Sequence, residues 1–294
     1  MSGRLFAPRA WLLPAMMMGM ATIAGPAAAT ESFSDCDICP RMQAIAPGSF
    51  DMGAEKTDKE ASEDEWPMHK VTIAKQFAVG VREVSRDEFA AFVTATRHDM
   101  GRSCNVMENN QWGDLPGRSW LNPGYAQTGQ HPVVCVSWND AQAYVRWLSE
   151  RTGKRYRLLT ESEWEYVARK GLRASVPVSH EMANYGAESD SFAPLASGRD
   201  RWLQTAPGGS FPADALVLYD VRGTVWERIE DCYHEDYFGA TTEGSARTEC
   251  SMADRRAVRG GGWGDASKLL RPSYRLRGPA AERYFSLGFR VARD

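Results

Sequence analysis

The stretch that decides the fold is AVRGGGWGD at residues 257–265, which leads on to GFRVA at residues 288–292. Its apolar residues are few and isolated, so neither a helical nor a strand period runs through it for long. Six arginines lie from Arg259 to Arg290, accompanied by Asp265 and Glu282. Because guanidinium groups are fork-shaped donors, we expect this mostly irregular segment to bond to carboxylates and backbone carbonyls of its own fold.

The N-terminus has the composition of a secretory signal peptide. Two arginines precede an apolar run, and three alanines ending at Ala29 suit a small-residue cleavage site. We therefore predict a signal peptide over residues 1–29 and a mature, periplasmic or secreted domain over residues 30–294. A retained N-terminal anchor is the alternative. No later segment approaches the roughly 20 apolar residues of a membrane span, so we expect none after cleavage.

The composition indicates a globular, loop-rich protein. A hydrophobic fraction of 43% is enough for a core, and the net charge of −3 argues against a nucleic-acid partner. Ten tryptophans among 26 glycines and 15 prolines suggest loops pinned by aromatic side chains. No repeat and no linker-like tract divides the chain, so we predict a single domain and a monomer.

The six cysteines all follow the predicted signal peptide. An even number of cysteines in an exported chain favours disulfides over free thiols. Proximity in the sequence favours the pairs Cys36–Cys39, Cys104–Cys135 and Cys232–Cys250. The first pair could instead be a redox dithiol, but no strand-then-helix context of the thioredoxin type surrounds it.

Local patterns predict several strands and three capped helices. The helices begin after Ser85, after Ser137 or Asn139, and after Thr160, and Ser85 and Thr160 are each followed three residues later by a glutamate, as in a capping box. Residues 101–130 read as a long irregular loop, as does the stretch from 172 to 212. The expected strands are two around the Pro-Gly turn of residues 42–52, then 69–73, 77–84, 132–136 and 156–159.

Four motifs in order resemble the formylglycine-generating enzyme family, also called sulfatase-modifying factors. They are PGSFDMG at 47–53, VSWNDA at 136–141 leading to YRLLTESEWEY at 156–166, GTVWE at 223–227, and the C-terminal pattern R-G-G-x-W, L-R-x-x-x-R and G-F-R-x-A. The resemblance runs from about residue 42 to 292. It implies one α+β domain with little regular secondary structure, related to C-type-lectin-like architectures and stabilised by disulfides and calcium.

The copper site of those enzymes is absent from this sequence. The family oxidises a cysteine of a secreted sulfatase to formylglycine with copper held by two cysteines, which align here with Asp265 and Ser273. Thiolate sulfur selects Cu(I), and carboxylate and hydroxyl groups do not replace it. We therefore expect no copper and no sulfatase activation, and whether another redox metal is bound is left open.

The resemblance still implies a function. One exported branch of the family oxidises a peptide-derived precursor during maturation of the pyoverdine siderophore chromophore. That branch agrees with the predicted export of this chain, with its size and with its lack of the two copper-binding cysteines. We therefore expect an oxidoreductase that acts on a secreted or periplasmic peptide or protein. The alternative is a non-catalytic, lectin-like binding or accessory module of the same fold.

The resemblance also implies two calcium sites. Calcium takes oxygen ligands from carboxylates, amides and backbone carbonyls. One site carries over to Asn184, the carbonyl of Tyr185, Asp200 and the carbonyl of Trp202; the other carries over to Asp220, the carbonyls of Gly223 and Val225, and Glu227. The alternative is that these are turn and cap residues.

We expect the catalytic residues to lie in the C-terminal cleft. Asp265 is the candidate base or metal ligand, with Ser273 and Arg275 orienting the substrate and with Trp226 and Trp263 as cleft walls. A structural role for Asp265 as an arginine partner is the alternative. Desolvation would raise the pKa of Asp265 and neighbouring arginines would lower it, so the direction is open at this stage.

Overall fold

A computed structural model describes residues 1, 3, 32–172, 177–250 and 254–294. Nearly all of the predicted signal peptide lies outside these residues. In the described part of the chain, no helix has the length and apolar character needed to cross a membrane. The helices are α1 (Arg86–Thr96), α2 (Trp138–Thr152) and α3 (Glu161–Gly171), and the strands are β1 (Met42–Ile45), β2 (Gly48–Met52), β3 (His69–Ile73), β4 (Phe77–Gly80), β5 (Ser103–Glu108), β6 (Gln111–Pro116), β7 (Tyr156–Leu158), β8 (Trp226–Cys232), β9 (Arg255–Arg259), β10 (Leu276–Pro279), β11 (Leu287–Phe289) and β12 (Val291–Arg293).

The C-terminal stretch joins two four-stranded sheets. The first sheet has the order β1-β4-β12-β7 and the second the order β10-β9-β8-β11, while β2-β3 and β5-β6 are separate pairs. Strand β11 pairs with β8 in parallel, and β12 pairs antiparallel with β4 and β7. Only Arg290 separates β11 from β12, so the chain passes from one sheet to the other at this residue.

The three helices begin where the sequence predicts. Ser85, Ser137 and Thr160 have extended backbone, and each side chain accepts a hydrogen bond from the backbone amide three residues later. In each case the acidic side chain at that third position accepts a bond from the cap's own amide, which completes a capping box. The cap of α2 is therefore Ser137 and not Asn139.

Three strand assignments differ from the structure. Residues 132–136 are buried but form no strand, because their amides bond to scattered partners: Val133 N to Val84 O and Cys135 N to Tyr284 O. The strand expected over 77–84 ends at Gly80, and the one over 156–159 ends at Leu158. The two strands around the Pro-Gly turn exist, but β1 pairs with β4 and β2 pairs with β3, so they do not form a hairpin.

Two segments expected to be irregular contain strands. Within residues 101–130, strands β5 and β6 form a hairpin whose turn is Asn109-Asn110, both with positive φ. The C-terminal stretch contributes strands β9 to β12. The sequence of this stretch shows no alternating strand pattern, for two reasons. The strands are only three to five residues long, and arginine occupies buried positions where an apolar residue is expected.

The expected disulfides are all present. They are Cys36–Cys39, Cys104–Cys135 and Cys232–Cys250, and no cysteine is free. The second bond attaches the β5-β6 hairpin to the segment before α2. The redox-dithiol alternative for Cys36 and Cys39 gains no support from the neighbouring elements, because no helix starts at either cysteine.

The arginines of the C-terminal stretch bond inward, as expected. Arg275 donates to both carboxylate oxygens of Glu161, at 2.6 and 3.0 Å. Arg290 donates two bonds to Oε1 of Glu227, at 3.0 and 2.8 Å. The other pairs are Arg259 with Glu165 and Arg271 with Glu65. Removing one partner of a buried pair leaves an unpaired charge inside the protein, so these bonds hold the C-terminal stretch in place.

Candidate functional site

Asp265 is held by two hydrogen bonds to one of its two carboxylate oxygens. The indole Nε1 of Trp226 donates to Oδ2 at 2.8 Å, and the backbone amide of Gly262 donates to the same atom at 2.9 Å. Within the part of the chain that the structure describes, Oδ1 receives no hydrogen bond from the protein. One oxygen therefore fixes the side chain and the other is available to a bound molecule.

The glycines before Asp265 allow the tight turn that places it there. Gly261 has a φ of +76°, a conformation that L side chains rarely adopt. A Cβ at Gly261 would lie 2.6 Å from Cδ1 of Leu270. The glycine run therefore brings the chain over the end of β8, where Trp226 begins the strand.

Burial sets the protonation behaviour of Asp265. Desolvation raises its pKa to about 6, and the hydrogen bonds from Trp226 and Gly262 oppose that rise. None of the arginines of the C-terminal stretch pairs with it among the described residues, so the structural alternative of an arginine partner is not what the structure shows. The group is ionised at neutral pH and close enough to its pKa to exchange a proton there.

Asp265 opens onto a cavity of about 260 Å³, named here the Asp265 cavity. Aromatic and apolar side chains form most of its wall, with the guanidinium-bearing Arg277 and the hydroxyl of Ser286 as further polar groups. The aromatic members are Trp112, Phe192, Trp226 and Tyr284. The arrangement is a mostly apolar slot with one carboxylate and one cation in its wall, which suits a planar ring that carries a proton donor.

The two predicted cleft tryptophans line different cavities. Trp226 lines the Asp265 cavity, whereas Trp263 lines a neighbouring cavity of about 450 Å³ beside the β5-β6 turn, named here the hairpin cavity. Phe192 lines both. Its ring packs edge-on against Trp263, with centroids 4.7 Å apart, and therefore separates the two cavities.

The structure does not bring Ser273 and Arg275 to Asp265 in this cavity. Neither belongs to its wall. Ser273 is buried, and its hydroxyl accepts a hydrogen bond from Arg271 at 3.1 Å. Arg275 is 3% exposed, and it bonds to Glu161 and to two backbone carbonyls. Arg277, two residues further on, is the arginine that reaches the cavity.

The donor set here does not suit copper. The two aligned positions hold the carboxylate of Asp265 and the hydroxyl of Ser273, and every cysteine of the chain is in a disulfide. No thiolate is available to select Cu(I). Among the described residues, no three or more His, Cys, Asp or Glu side chains are grouped so as to hold a metal ion.

The first expected calcium position has a matching polar environment. Asn184 is fully buried, its Nδ2 donates to the carbonyl of Gln204 at 2.8 Å, and its Oδ1 has no partner. Asp200 accepts bonds from the amides of Tyr185 and Trp202, both at 3.3 Å. Because a buried oxygen without a donor is costly, a cation bound by Asn184 and Asp200 would compensate it.

The second expected calcium position is less complete. Asp220 has one buried oxygen without a partner, and burial raises its pKa to about 6. Both oxygens of Glu227 are engaged, by Arg290 and by the indole of Trp164. Glu83, a residue that sequence reasoning missed, is 3% exposed and has no partner for either oxygen; burial and the nearby charge of Asp220 raise its pKa well above the usual range. A cation here would draw on Asp220 and Glu83.

Sequence reasoning also missed most of the cavity wall. Trp112 lies on β6, and its ring contacts those of Phe192 and Phe285, with centroids 5.6 and 5.4 Å apart. Phe192 comes from the long loop after α3 and Tyr284 from the segment before β11. The one signal in the sequence was the excess of tryptophan, which indicates aromatic packing without saying where.

Comparison with known proteins supports the family resemblance that the sequence motifs indicate. A family model described as "Sulfatase-modifying factor enzyme 1-like domain" matches residues 28–294. The formylglycine-generating enzyme of Thermomonospora curvata is 34% identical over 232 residues, covering 68% of this chain and 74% of that protein. The enzyme of the same name from Streptomyces coelicolor is 31% identical and covers 92% of each chain.

A solved structure, "Structure of PvdO from Pseudomonas aeruginosa", matches with a TM-score of 0.76 and 34% identity, covering 90% of this chain and 98% of that one. Identity at this level over nearly the whole domain shows common ancestry and a common fold. The chain therefore belongs to the formylglycine-generating enzyme, or sulfatase-modifying factor, family.

Proposed function

We propose that this protein is an exported oxidoreductase that matures a peptide-derived substrate of the siderophore-chromophore type, without the two-cysteine copper site. The observation that carries the proposal is the free Oδ1 of Asp265 at the wall of an aromatic cavity. Three disulfides and the predicted signal peptide support export. The carboxylate of Asp265 and the hydroxyl of Ser273, at positions where the family has copper-binding cysteines, support a function other than sulfatase activation.

In this proposal Asp265 performs the proton transfer of the oxidation. A substrate ring enters between Trp112, Phe192 and Trp226, and a C–H or O–H bond of the ring points at Oδ1. Overall the ring loses two protons and two electrons. The Asp265 carboxylate takes one proton as that bond breaks, and the two electrons and the second proton pass to a dissolved two-electron oxidant such as dioxygen, which becomes hydrogen peroxide when Asp265 returns its proton. The hydrogen bonds to Oδ2 keep the side chain fixed during the transfer, which lowers the reorganisation that the step requires.

Arg277 supplies the positive charge of the cavity. Its Nη1 donates to the hydroxyl of Tyr233 at 3.2 Å, and its guanidinium lies 5.0 Å from the centroid of that ring. These contacts leave its other donors free for an anionic group of the substrate. Arg277 thus takes the orienting role that the sequence had suggested for Arg275.

The two calcium positions are proposed to be structural. Asn184 and Asp200 would join two parts of the long segment between α3 and β8, and Asp220 and Glu83 would join the end of that segment to the residues after β4. Both positions lie on the loops that surround the sheets. Calcium would therefore stabilise the fold and take no part in the proton transfer.

The deciding experiment compares Asp265→Asn with wild type on a reduced chromophore–peptide precursor of a siderophore from the same cell. Loss of a positioned proton acceptor typically lowers the rate by about 10²–10⁴-fold. Asp190→Asn is the matched control, because Asp190 is an exposed carboxylate paired with Lys268 outside the cavity. Unchanged turnover in Asp265→Asn removes the residue from the mechanism. Tight binding of the precursor without turnover in wild type would favour a binding module.

A further inference from the structure

The hairpin cavity carries three side-chain amides that the protein itself does not use. Asn109, Asn110 and Gln204 line it, and in the described part of the chain none of these three amides forms a hydrogen bond with another protein group. The indole Nε1 of Trp263 is also buried there without a partner. Asn109 and Asn110 are exposed, so water pairs with their amides in the free protein, whereas the buried N–H of Trp263 is costly to leave without a partner. A molecule bound in the cavity would pair with that N–H and with the amides.

The charge of the hairpin cavity is already neutralised. Glu108 lies in its wall, but the carboxylate pairs with Arg118. The remaining polar side chains are neutral, and the three amides each have both a donor and an acceptor. A peptide backbone offers the same two groups at every residue, so the cavity matches an uncharged stretch of peptide.

The hairpin cavity adjoins the Asp265 cavity at Phe192. Phe192 lines both cavities, and the amide of Ala193 next to it donates to the carbonyl of Gly264 at 2.7 Å. A Cβ on Gly264 would lie 2.1 Å from the Phe192 ring, so the ring packs directly on the backbone beside Asp265. The two cavities, of about 260 and 450 Å³, together have the size of a small-ligand site.

We propose that the hairpin cavity is a subsite for the peptide segment attached to the group that is modified in the Asp265 cavity. The inference rests on the proposed function, and it adds the part of the substrate that this function leaves unassigned. Asn110 and Gln204 pair with backbone N–H and C=O groups of the peptide, and Phe192 lies between the ring and the first peptide bond. The family of substrates is therefore ring-bearing peptides with uncharged residues next to the ring.

Two variants remove the amides without disturbing the fold. Asn110 has a φ of +60° at the hairpin turn, so Asn110→Gly keeps a backbone that glycine adopts readily. Gln204→Leu keeps the length of the side chain and removes both polar atoms. Gln111→Ala is the matched control, because Gln111 is exposed on the same hairpin and does not line the cavity.

The test measures binding by calorimetry with two probes on the full chain. N-acetyltyrosine amide carries a phenol ring alone, and N-acetyltyrosyl-triglycine amide adds an uncharged peptide. We expect wild type to bind the longer probe more tightly. Asn110→Gly and Gln204→Leu should each weaken it by about 2- to 12-fold, the effect of one lost hydrogen bond, and leave the shorter probe unchanged. Gln111→Ala should change neither.

Three results would overturn the subsite. They are equal affinity of wild type for the two probes, an equal loss of both probes in Gln204→Leu, and no binding of either probe at millimolar concentration. Binding of maltotriose that Gln204→Leu abolishes, without any effect on the peptide, would make the cavity a sugar site. Failure of the proposed function is a separate result: Asp265→Asn would leave turnover unchanged while the effect of Gln204→Leu on the longer probe persists.

Discussion

The indole of Trp226 donates a 2.8 Å hydrogen bond to the carboxylate oxygen Oδ2 of Asp265. This bond lowers the pKa of Asp265 against the rise that burial causes, and the resulting pKa is about 6. Two residues from separate parts of the chain, at the start of β8 and after β9, thus set one proton affinity. The first prediction follows from this balance.

Trp226→Phe should raise the pKa of Asp265 further, because the bond stabilises the charged form. The acid limb of kcat/KM against pH should move from near pH 6 to higher pH, while turnover at alkaline pH stays closer to that of wild type. Trp138→Phe is the control, since it removes an indole bond of 2.9 Å to the carbonyl of Ile229 away from the cavity. An acid limb that stays in place in Trp226→Phe would show that Asp265 does not control it.

Asp265 should also make the free energy of unfolding depend on pH. Its pKa rises from 3.8 to about 6 on folding, so between these values the native state binds more protons than the unfolded state. The contribution of Asp265 to the free energy of unfolding therefore falls as pH increases from about 4 to about 6, and it is constant below and above that range. The full shift corresponds to about 3 kcal/mol, and partial exposure to solvent reduces it to about 1–2 kcal/mol.

The comparison of wild type with Asp265→Asn isolates that contribution. The difference in free energy of unfolding between the two proteins should shift in favour of the variant as pH rises from about 4 to about 6, as measured by urea titration at several pH values. Asp190→Asn should show no such trend in that direction, because the Lys268 ion pair lowers the pKa of Asp190. A difference that is flat across this window would contradict the raised pKa.

Local signals in the sequence predict the helices well and the sheets poorly. The capping boxes at Ser85 and Thr160 involve residues three apart, so the sequence alone reveals them. Arg275 and Glu161 are 114 residues apart, and Arg271 and Glu65 are 206 apart. The composition indicated that these arginines bond inward, but no local pattern names the partner.

The candidate site was also only partly predictable, because its residues come from segments that are distant in the sequence. Asp265 was predictable because it replaces a ligand cysteine in the family motif. Arg275, just before strand β10, bonds to Glu161 in the core, whereas Arg277, on β10, lines the cavity. No sequence pattern tells which of these two arginines faces the cavity. Phe192 lies in a loop without a regular period, and only the folded chain places its ring on Gly264.

Arg275 should be a determinant of stability. Its side chain is 1% exposed, and that of Glu161 is 3% exposed. Arg275→Ala removes both short bonds to the buried carboxylate of Glu161 and leaves it, among the described residues, only Arg259 at 3.8 Å and the Tyr237 hydroxyl at 3.5 Å, so we expect a loss of about 3 kcal/mol in the free energy of unfolding. The control is Arg155→Ala, whose side chain is 77% exposed and pairs with Asp294; it should cost less than about 1 kcal/mol. Lost turnover at unchanged stability would instead place Arg275 in substrate binding.

The three disulfides should differ in their contributions according to the length of chain that they close. Cys104–Cys135 spans 31 residues and Cys36–Cys39 spans three. The chain-entropy relation gives about 4 kcal/mol for the first and about 2 kcal/mol for the second. We expect the paired serine variants to follow that order in urea unfolding. The Cys104–Cys135 variant should also bind ring probes more weakly, because the bond anchors the hairpin that carries Trp112. Equal destabilisation by both pairs would contradict the ranking.

The last prediction concerns calcium. A ligand that binds only the folded state stabilises it by mass action, by about 2.7 kcal/mol at one hundred times its dissociation constant. Calcium added to chelator-treated protein should therefore raise Tm, and Asn184→Ala should remove part of that rise, because it deletes the buried oxygen Oδ1 that has no partner. Asn122→Ala, at an exposed asparagine whose amide bonds only to neighbouring loop groups, should keep the full response. Magnesium should stabilise less, since it demands a tighter octahedral shell than carbonyl-rich loops provide. A Tm that calcium leaves unchanged, in wild type and variants alike, would show that Asn184 and Asp200 are turn residues and that the family's calcium sites are not retained here.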